Sequence, residues 1–235
     1  MCGRYVSARN DHELKLFYAV QHRVGEELAP SWNVAPTQTV RIIRDHQDDG
    51  QVVRELRNAR WGLLPAWAKD RKMGSRLINA RSETVTEKPA FRSAARRRRC
   101  VVPAEGYYEW TAANGGPKTP YYLHRADNEV LSFAGLYELW PEPDIPDEDD
   151  PAKWVWTCTI LTRPAPEPLA YIHDRTPVIL SEGMVCDWLD PAITGKAEVR
   201  GMVDAIPDPE LAAHVVDRRV GRPSSNDPRL IEAVR

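Results

Sequence analysis

The chain has 235 residues, of which 42% are hydrophobic, and its 32 lysines and arginines nearly balance 34 aspartates and glutamates, giving a formal net charge of −2. This length can bury one sizeable core, so we expect a single domain over residues 1–235. No stretch approaches the roughly 20 apolar residues that span a bilayer, and the polar N-terminus lacks the apolar region of a signal peptide; both features predict a soluble, cytoplasmic protein with no membrane partner.

The first half of the chain predicts one capped helix, one hairpin and two short helices. Asn10 followed by Glu13 resembles a capping box, which opens a helix from Asp11 to about Gln21. Asp48-Asp49-Gly50 is a turn signal between two strand-like stretches and indicates a β-hairpin. The predicted strands are Thr39 to Arg44 and Gln51 to Trp61, and the short helices are Ser82 to Glu87 and Pro89 to Arg97.

The second half predicts a succession of strands followed by two helices. Asn114-Gly115-Gly116 and Asp127-Asn128 are the turn signals between them. Many strands with turns about every ten residues predict an α+β fold, in which mainly antiparallel strands form a partly open, barrel-like core with short peripheral helices. The strands are Val101 to Thr111, Pro120 to Arg125, Glu129 to Leu139, Lys153 to Thr162 and Thr176 to Leu180, and the helices are Glu182 to Leu189 and Pro209 to Val215.

The charges are segregated along the chain. Between Arg54 and Arg99 there are 14 basic and 4 acidic residues, a local balance of +10 that ends in the run Arg96 to Arg99. The proline-rich stretch 141–151 contains six acidic residues and no basic one, which predicts a solvated, mobile loop. This segregation permits a polyanionic partner, because binding responds to the local field. A solvated helix end is the alternative interpretation of the arginine run.

Cysteine is the second residue, so removal of Met1 would leave an N-terminal cysteine. Such a residue carries an amine with a reference pKa of about 7.8 beside a thiol of about 8.5, so both groups are usable near neutrality. An aldehyde can condense with the amine, and the sulfur can then close a five-membered thiazolidine ring. The alternative is that position 2 has no chemical role. Cys100, Cys158 and Cys186 have no CxxC spacing and are expected to be buried free thiols, with no metal site.

Three further segments place polar residues among apolar ones. Glu109 lies within Gly106-Tyr107-Tyr108-Glu109-Trp110; a buried carboxyl there would have a raised pKa suited to proton transfer, whereas a strand glutamate facing solvent gives the same pattern. His173 begins a polar cluster ahead of an apolar strand, and a surface turn could look the same. Asn79 and Arg81 again stand beside apolar residues.

Taken together, these motifs follow one another in the order typical of the SRAP (SOS response-associated peptidase) family, whose members attach covalently to abasic sites in single-stranded DNA. The resemblance extends from Cys2 to about Leu180 and includes the tail Val220 to Val234, but not the acidic loop or Asp190 to Pro207. The motifs are Met1 to Tyr5, Trp32 to Pro36, Trp61 to Leu63, Ile78 to Thr84, Tyr108 to Trp110 and Ile172 to Pro177.

The resemblance implies a catalytic set of Cys2, Asn79, Glu109 and His173. Cys2 would capture the ring-opened aldehyde of an abasic site as a Schiff base and then a thiazolidine, which shields the lesion. Asn79 would bond the sugar, while Glu109 and His173 would move protons during formation and reversal of the crosslink. Asp174 is left out of this set, because adjacent residues on a strand face opposite sides. No cofactor is implied.

The resemblance also implies a DNA-binding surface. Arg81 and Arg175 would contact phosphates, and Trp67 would stack on a base beside the lesion, a contact worth roughly 1–3 kcal/mol. Ala68 follows Trp67 where some relatives carry a second tryptophan, which puts stacking on that side in doubt. The other residues expected to line the cleft are Arg4, Asn33 and Thr162.

Two other functions stay open at this stage. In a thiol peptidase Cys2 would be the nucleophile and His173 its base, although a peptidase has no need of a terminal cysteine. In a non-covalent binder of single-stranded nucleic acid, the same basic and aromatic surface would act without Cys2. The only proteolysis we expect is loss of Met1, by a methionine aminopeptidase or by the protein's own site. The expected partner is single-stranded DNA with abasic sites, bound by a monomer that is nucleoid-associated if bacterial.

Overall fold

The computed structural model describes residues 2–111 and 117–234. Its strands are β1 (Tyr5–Ser7), β2 (His22–Val24), β3 (Ser31–Val34), β4 (Thr39–Asp48), β5 (Gln51–Trp61), β6 (Asn79–Arg81), β7 (Arg99–Ala104), β8 (Gly106–Thr111), β9 (Thr119–His124), β10 (Leu131–Pro141), β11 (Trp154–Pro164), β12 (Arg175–Pro177), β13 (Ile179–Leu180) and β14 (Ala212–Val215). Its α-helices are α1 (Asp11–Tyr18), α2 (Arg92–Arg97), α3 (Glu167–Ala170), α4 (Glu182–Leu189) and α5 (Lys196–Ala205).

Five strands close into a barrel. Strands β11, β10, β7, β4 and β5 are successive antiparallel neighbours, and β5 then pairs in parallel with β11, with Trp61 opposite Cys158. Alternate residues of these strands pack against α1, α2, α4 and α5 on one side and against the second sheet on the other. The predicted α+β fold, with a barrel-like antiparallel core and short outer helices, is confirmed, and the β5–β11 pairing completes the ring.

The second sheet places the N-terminus in the middle of the fold. Its strand order is β14-β9-β8-β1-β3, with antiparallel neighbours throughout. Tyr5 of β1 lies opposite Val34 on one side and Tyr107 on the other. The contact between β1 and β8 continues toward the N-terminus, where the backbone N–H of Tyr108 donates to the carbonyl of Arg4 at 2.9 Å. The first residues of the chain therefore run alongside the strand that carries Glu109.

Local signals predicted several elements well. The capping box of α1 is present, because Asn10 accepts from the Glu13 amide and the Glu13 side chain accepts from the Asn10 amide. This helix ends at Tyr18, earlier than predicted, because Ala19 adopts a left-handed conformation. The hairpin of β4 and β5 turns at residues 48–51, and α4 has its predicted bounds. The predicted turn Asn114-Gly115-Gly116 lies outside the described residues.

Three predicted elements differ in the structure. Val101 to Thr111 is not one strand, because the chain passes from the barrel to the second sheet at Glu105 and so divides into β7 and β8. Thr176 to Leu180 divides likewise, since β12 pairs with β11 and β13 with β10. The helix predicted over Pro209 to Val215 is wrong. Pairing with β9 makes its last residues a strand, β14, and so overrides the helix-forming alanines.

The arginine run is partly structural. Arg99 is buried, and its guanidinium donates to the carbonyls of Ala95 and Arg96 at the end of α2 and of Trp188 and Asp190 at the end of α4. Arg98 pairs with Glu138 at 2.8 Å. These two arginines therefore join helices to the barrel, since a cation satisfies the free carbonyls of a helix end. Arg96 and Arg97 remain exposed.

The acidic stretch connects β10 and β11. Its first acidic residue, Glu142, forms an ion pair with Arg71. Lys153, at its other end, donates to the carbonyl of Ile145 at 2.6 Å. The loop thus contacts Arg71 near its start and Lys153 at its end.

Of the three cysteines expected to be buried, Cys100 and Cys158 are, whereas Cys186 is exposed on α4 and that prediction is wrong. Val185, Trp188 and Leu189 form the buried face of this helix, which turns Cys186 outward.

In the described parts of the chain, no helix has the length and apolar character needed to cross a membrane.

We expect Gly62→Ala to destabilise the fold by roughly 2–4 kcal/mol. Gly62 has φ +130°, and a Cβ atom there would lie 2.6 Å from the carbonyl oxygen of Gly74, so the backbone would have to move. Gly183→Ala in α4 is the matched control, because a Cβ there meets nothing within 4 Å. Urea unfolding measures both variants. If Gly62→Ala unfolded at the wild-type urea midpoint, the close approach of Gly62 and Gly74 would not contribute to the free energy of unfolding.

Candidate functional site

Cys2 lies at the centre of the candidate site. Its side chain is fully buried and packs in the cluster that also contains Tyr107 and Trp61. The carbonyl of Cys2 accepts a hydrogen bond from Nδ2 of Asn79 at 2.8 Å. Burial raises the pKa of the Cys2 thiol, and the nearby Glu109 carboxylate raises it further. The thiol is therefore neutral and needs a proton acceptor before it can act as a nucleophile.

Asn79 is held in place by two strands. Its strand, β6, runs parallel to β11, with Asn79 opposite Ile160. The indole of Trp61 donates to the carbonyl of Ile78 at 2.9 Å and fixes the preceding residue. Oδ1 of Asn79 is buried and accepts no hydrogen bond from any described residue. This oxygen can accept a hydrogen bond from a bound molecule.

Glu109 faces inward. It lies two residues after Tyr107 on β8, and both side chains therefore point to the same face of the sheet. Glu109 is only 4% exposed, which excludes the solvent-facing alternative. Burial raises its pKa, and the neighbouring His173 opposes that shift. A raised pKa keeps this carboxyl protonated to a higher pH than an ordinary glutamate, as a group that donates protons requires.

His173 lies in a bend just before β12, not on the strand. Its Nδ1 is 3.0 Å from the backbone N–H of Arg175 and 2.9 Å from Oδ1 of Asp174. The first contact requires Nδ1 to accept and hence to lack a proton, whereas the second requires a proton on Nδ1 that is donated to Asp174. His173 and Asp174 are therefore in contact although adjacent, and because they are not on a strand, the alternation of strand side chains does not exclude Asp174 from the site.

Glu109 and His173 line the same open cleft beside the N-terminus. The cleft has a volume of about 460 Å³. Lys118 also lines it and was not predicted, because a single lysine carries no distinctive signal in one sequence. Within residues 2–111 and 117–234, no group of three or more His, Cys, Asp or Glu side chains is placed to hold a metal ion. The lining residues are Gly3, Arg4, Glu109, Trp110, Lys118, His173 and Gly221.

Arg4 and Asn33 hold the C-terminal segment against this cleft. Nη1 of Arg4 donates to Oδ1 of Asn33 and to the carbonyl of Val220, both at 2.9 Å. Asn33 is buried, and its Nδ2 lies 3.0 Å from the carbonyl of Arg222 and 2.8 Å from that of Ser225. The polar groups of Asn33 are thus used within the protein, while Arg4 also reaches the cleft.

We expect Asn33→Ala to destabilise the protein by about 2–3 kcal/mol, because it removes the donor to the buried carbonyl of Val220 and to two part-buried carbonyls of the C-terminal segment. The C-terminal segment should also become sensitive to limited proteolysis. Ser225→Ala is the matched control, since only the backbone carbonyl of Ser225 accepts from Asn33. A loss of DNA affinity at unchanged stability would instead support the expected DNA contact.

Arg175 and Thr162 form a second connected pair. Nη2 of Arg175 donates to the Thr162 carbonyl at 2.6 Å and to a carboxylate oxygen of Glu83 at 2.8 Å, and Nη1 donates to the other carboxylate oxygen. This fork holds the pKa of Glu83 at about 2. A phosphate would have to share the Arg175 guanidinium with Glu83. Thr162 is buried and positions Arg175.

Trp67 and Arg81 are the most accessible of the predicted DNA-binding residues. The Trp67 side chain is 57% exposed. Arg81 is exposed, and its side chain forms no ion pair or hydrogen bond with any described residue. Ala68 is buried in a cluster with Leu64 and Trp140, so its position offers no aromatic surface.

Comparisons with known proteins agree with the geometry. The family model described as SOS response associated peptidase (SRAP) matches residues 1–223. The Bacillus subtilis (strain 168) protein named abasic site processing protein YoqW is 37% identical over 99% of this chain and 100% of its own length. Abasic site processing protein HMCES of Gallus gallus is 30% identical over 98% of this chain and 77% of its own. A crystal structure from Bacteroides thetaiotaomicron superposes with a TM-score of 0.83 and 26% identity, covering all of both chains.

Proposed function

The chain belongs to the SOS response associated peptidase (SRAP) family, and we propose that it processes abasic sites in single-stranded DNA by forming a covalent thiazolidine through Cys2. Relatives across nearly its full length are named abasic site processing proteins. The observation that carries the proposal is the environment of Cys2: Asn79 holds its carbonyl, and Glu109, which raises the pKa of the thiol, lies beside His173.

The proposed reaction starts after Met1 has been removed. The amine of Cys2 adds to the aldehyde carbon of the ring-opened sugar, and loss of one water gives an imine. The sulfur then adds to the imine carbon while the thiol proton is transferred to the nitrogen. The net change is one new C–N bond, one new C–S bond and one released water. The product is stable because both heteroatoms of one residue hold the same carbon.

Three side chains support these steps. Glu109 in its acid form donates a proton to the departing hydroxyl, and its carboxylate then accepts the thiol proton. His173 lines the same cleft, is part-exposed and can exchange protons with solvent. Oδ1 of Asn79 accepts a hydrogen bond from a sugar hydroxyl. The same groups catalyse the reverse reaction, because each step has the same transition state in both directions.

A thiol peptidase has less support. Such an enzyme activates its cysteine by lowering the thiol pKa beside a histidine cation. Here burial and Glu109 act in the opposite direction on Cys2. This environment suits a thiol that reacts late, once an imine has formed beside it.

The decisive experiment is a denaturing gel of the protein with a single-stranded oligonucleotide that carries one abasic site, beside an intact oligonucleotide. Mass spectrometry must first establish that Met1 has been lost. We expect a heat-stable band that requires the lesion. Absence of this band from the processed protein would contradict the proposal, and retained affinity for both oligonucleotides would then favour a non-covalent binder.

We expect Arg81→Gln to weaken binding of intact single-stranded DNA and to lower the slope of log affinity against log salt by about 0.7, which corresponds to one phosphate contact. Arg81 is exposed and has no partner among the described residues, so it is free to bind a phosphate. Arg81→Lys keeps the charge and should keep most of the slope. An unchanged slope in Arg81→Gln would remove this residue from the DNA surface.

A further inference from the structure

A second cleft, of about 690 Å³, lies between α2 and α5, outside the candidate catalytic site. Four basic side chains and one acidic side chain line it, together with two hydroxyl groups. None of the described aromatic residues lines it, so the cleft offers a base no ring on which to stack. Its lining residues are Thr86, Glu87, Arg92, Ser93, Arg96, Arg97 and Lys196.

The positive charge of this cleft is largely uncompensated. Arg92 and Arg97 are exposed, and their side chains form no ion pair or hydrogen bond with any described residue. Arg96 donates to the carbonyl of Thr194 at 2.7 Å, a contact that orients it without neutralising it. Glu87 forms its ion pair with Lys196 at 3.6 Å. Isolated guanidinium groups of this kind are suited to phosphate recognition.

Direct contacts connect this cleft with the catalytic one. Arg175, whose backbone N–H donates to His173, pairs with Glu83. The carbonyl of Glu83 accepts from Arg200 of α5 at 2.7 Å. Lys196 lies four residues before Arg200, hence on the same face of α5, and reaches the second cleft. A chain of contacting residues, Arg175, Glu83 and Arg200, thus links the two clefts.

We propose that this cleft binds the phosphodiester backbone of the DNA strand that flanks the lesion, without reading its sequence. The inference rests on the proposed function, because it assumes that DNA occupies the catalytic cleft. The guanidinium groups of Arg92 and Arg97 contact phosphates, and the hydroxyl groups of Thr86 and Ser93 can donate to the same oxygens. Backbone contacts fix the register of a strand, so they position the lesion over Cys2.

The test compares a short and a long single-stranded oligonucleotide, each with one central abasic site. The short oligonucleotide, of about five nucleotides, has only two nucleotides on each side of the lesion and is chosen to occupy only the catalytic cleft. The long one, of about 25, has twelve on each side and exceeds the domain, whose radius of gyration is about 17 Å. For the double variant Arg92→Gln, Arg97→Gln we expect weaker binding of the long oligonucleotide, with a salt slope lowered by about 1.4. Affinity for the short one should stay at the wild-type value.

The corresponding double variant with lysine at both positions is the matched control, since it keeps the charge and should keep most of the salt slope. Equal slopes for the glutamine variant and the wild type on the long oligonucleotide would overturn the proposal. Equal losses of affinity for the short and the long oligonucleotide would also overturn the proposal, because the substitutions would then affect binding in the catalytic cleft and not in the second cleft. Crosslinking of the short oligonucleotide by the wild type tests the proposed function separately, so failure of one proposal is distinguishable from failure of the other.

Discussion

Cys2→Ser is expected to abolish the heat-stable product with abasic DNA while leaving the fold and the non-covalent affinity unchanged. Serine has nearly the size of cysteine, and the Cys2 side chain is buried, so the surrounding packing should be kept. The variant retains the terminal amine and can still form the imine. It lacks the sulfur that closes the ring, and the imine hydrolyses during denaturation. The measurement is the denaturing gel, made on protein that has lost Met1.

A reductant separates the roles of amine and thiol. Cyanoborohydride converts an imine to a secondary amine by adding hydride to carbon, so Cys2→Ser should give a stable band only when it is present. A variant with an N-terminal extension that cannot be removed should give no band, either with or without cyanoborohydride, because the nitrogen of Cys2 is then part of an amide. A heat-stable product from Cys2→Ser without reductant would rule out the thiazolidine. A product from the extended protein would point to another amine, such as that of Lys118, which lines the same cleft, or the terminal amine of the extension itself.

Elements that depend on neighbouring residues were more predictable from the sequence than elements that depend on distant ones. The capping box of α1 and the β4–β5 hairpin depend on neighbouring residues, and both were predicted from short motifs. The change of sheet at Glu105 and the strand β14 depend on pairing between distant segments, which one sequence does not reveal. The motifs predicted that Cys2, Asn79, Glu109 and His173 belong to one site. That Glu109 is buried instead of facing solvent is known only from the fold.

A sequence motif also does not show which partner a polar side chain binds in the folded protein. Asn33 and Arg175 lie in the expected segments, yet one binds the C-terminal segment and the other binds Glu83. Both contacts join residues far apart in the chain, so spacing could not predict them. The arginine run divides in the same way: Arg99 joins helix ends, whereas Arg97 is exposed. An arginine's exposure and partners decide whether it can bind a phosphate.

Glu109→Gln is expected to slow adduct formation by about 10²- to 10⁴-fold at the pH where wild type is fastest, because the amide can neither donate nor accept the proton. Burial raises the pKa of Glu109, so the acid form that protonates the departing hydroxyl persists to a higher pH than in an ordinary glutamate. Above that raised pKa the donor is lost. The ratio of wild-type to variant rates should therefore fall as pH rises. Ionisation of the Cys2 amine affects both rates equally, so it does not change this ratio.

Stability gives a second measurement of the same group that does not depend on activity. An acid whose folded pKa is raised above its unfolded pKa binds more protons when folded, so it contributes a stability that is lost as pH rises between the two values. Glu109→Gln does not lose stability in this way. Its melting temperature should therefore rise relative to that of wild type as pH rises between the two pKa values. The amide side chain of the variant has nearly the same shape as the protonated acid, so below the interval the two proteins should melt alike. A rate ratio near one at every pH would show that Glu109 does not transfer the proton, and this role would then pass to His173. Parallel melting curves would show that the pKa of Glu109 is the same in the folded and the unfolded protein.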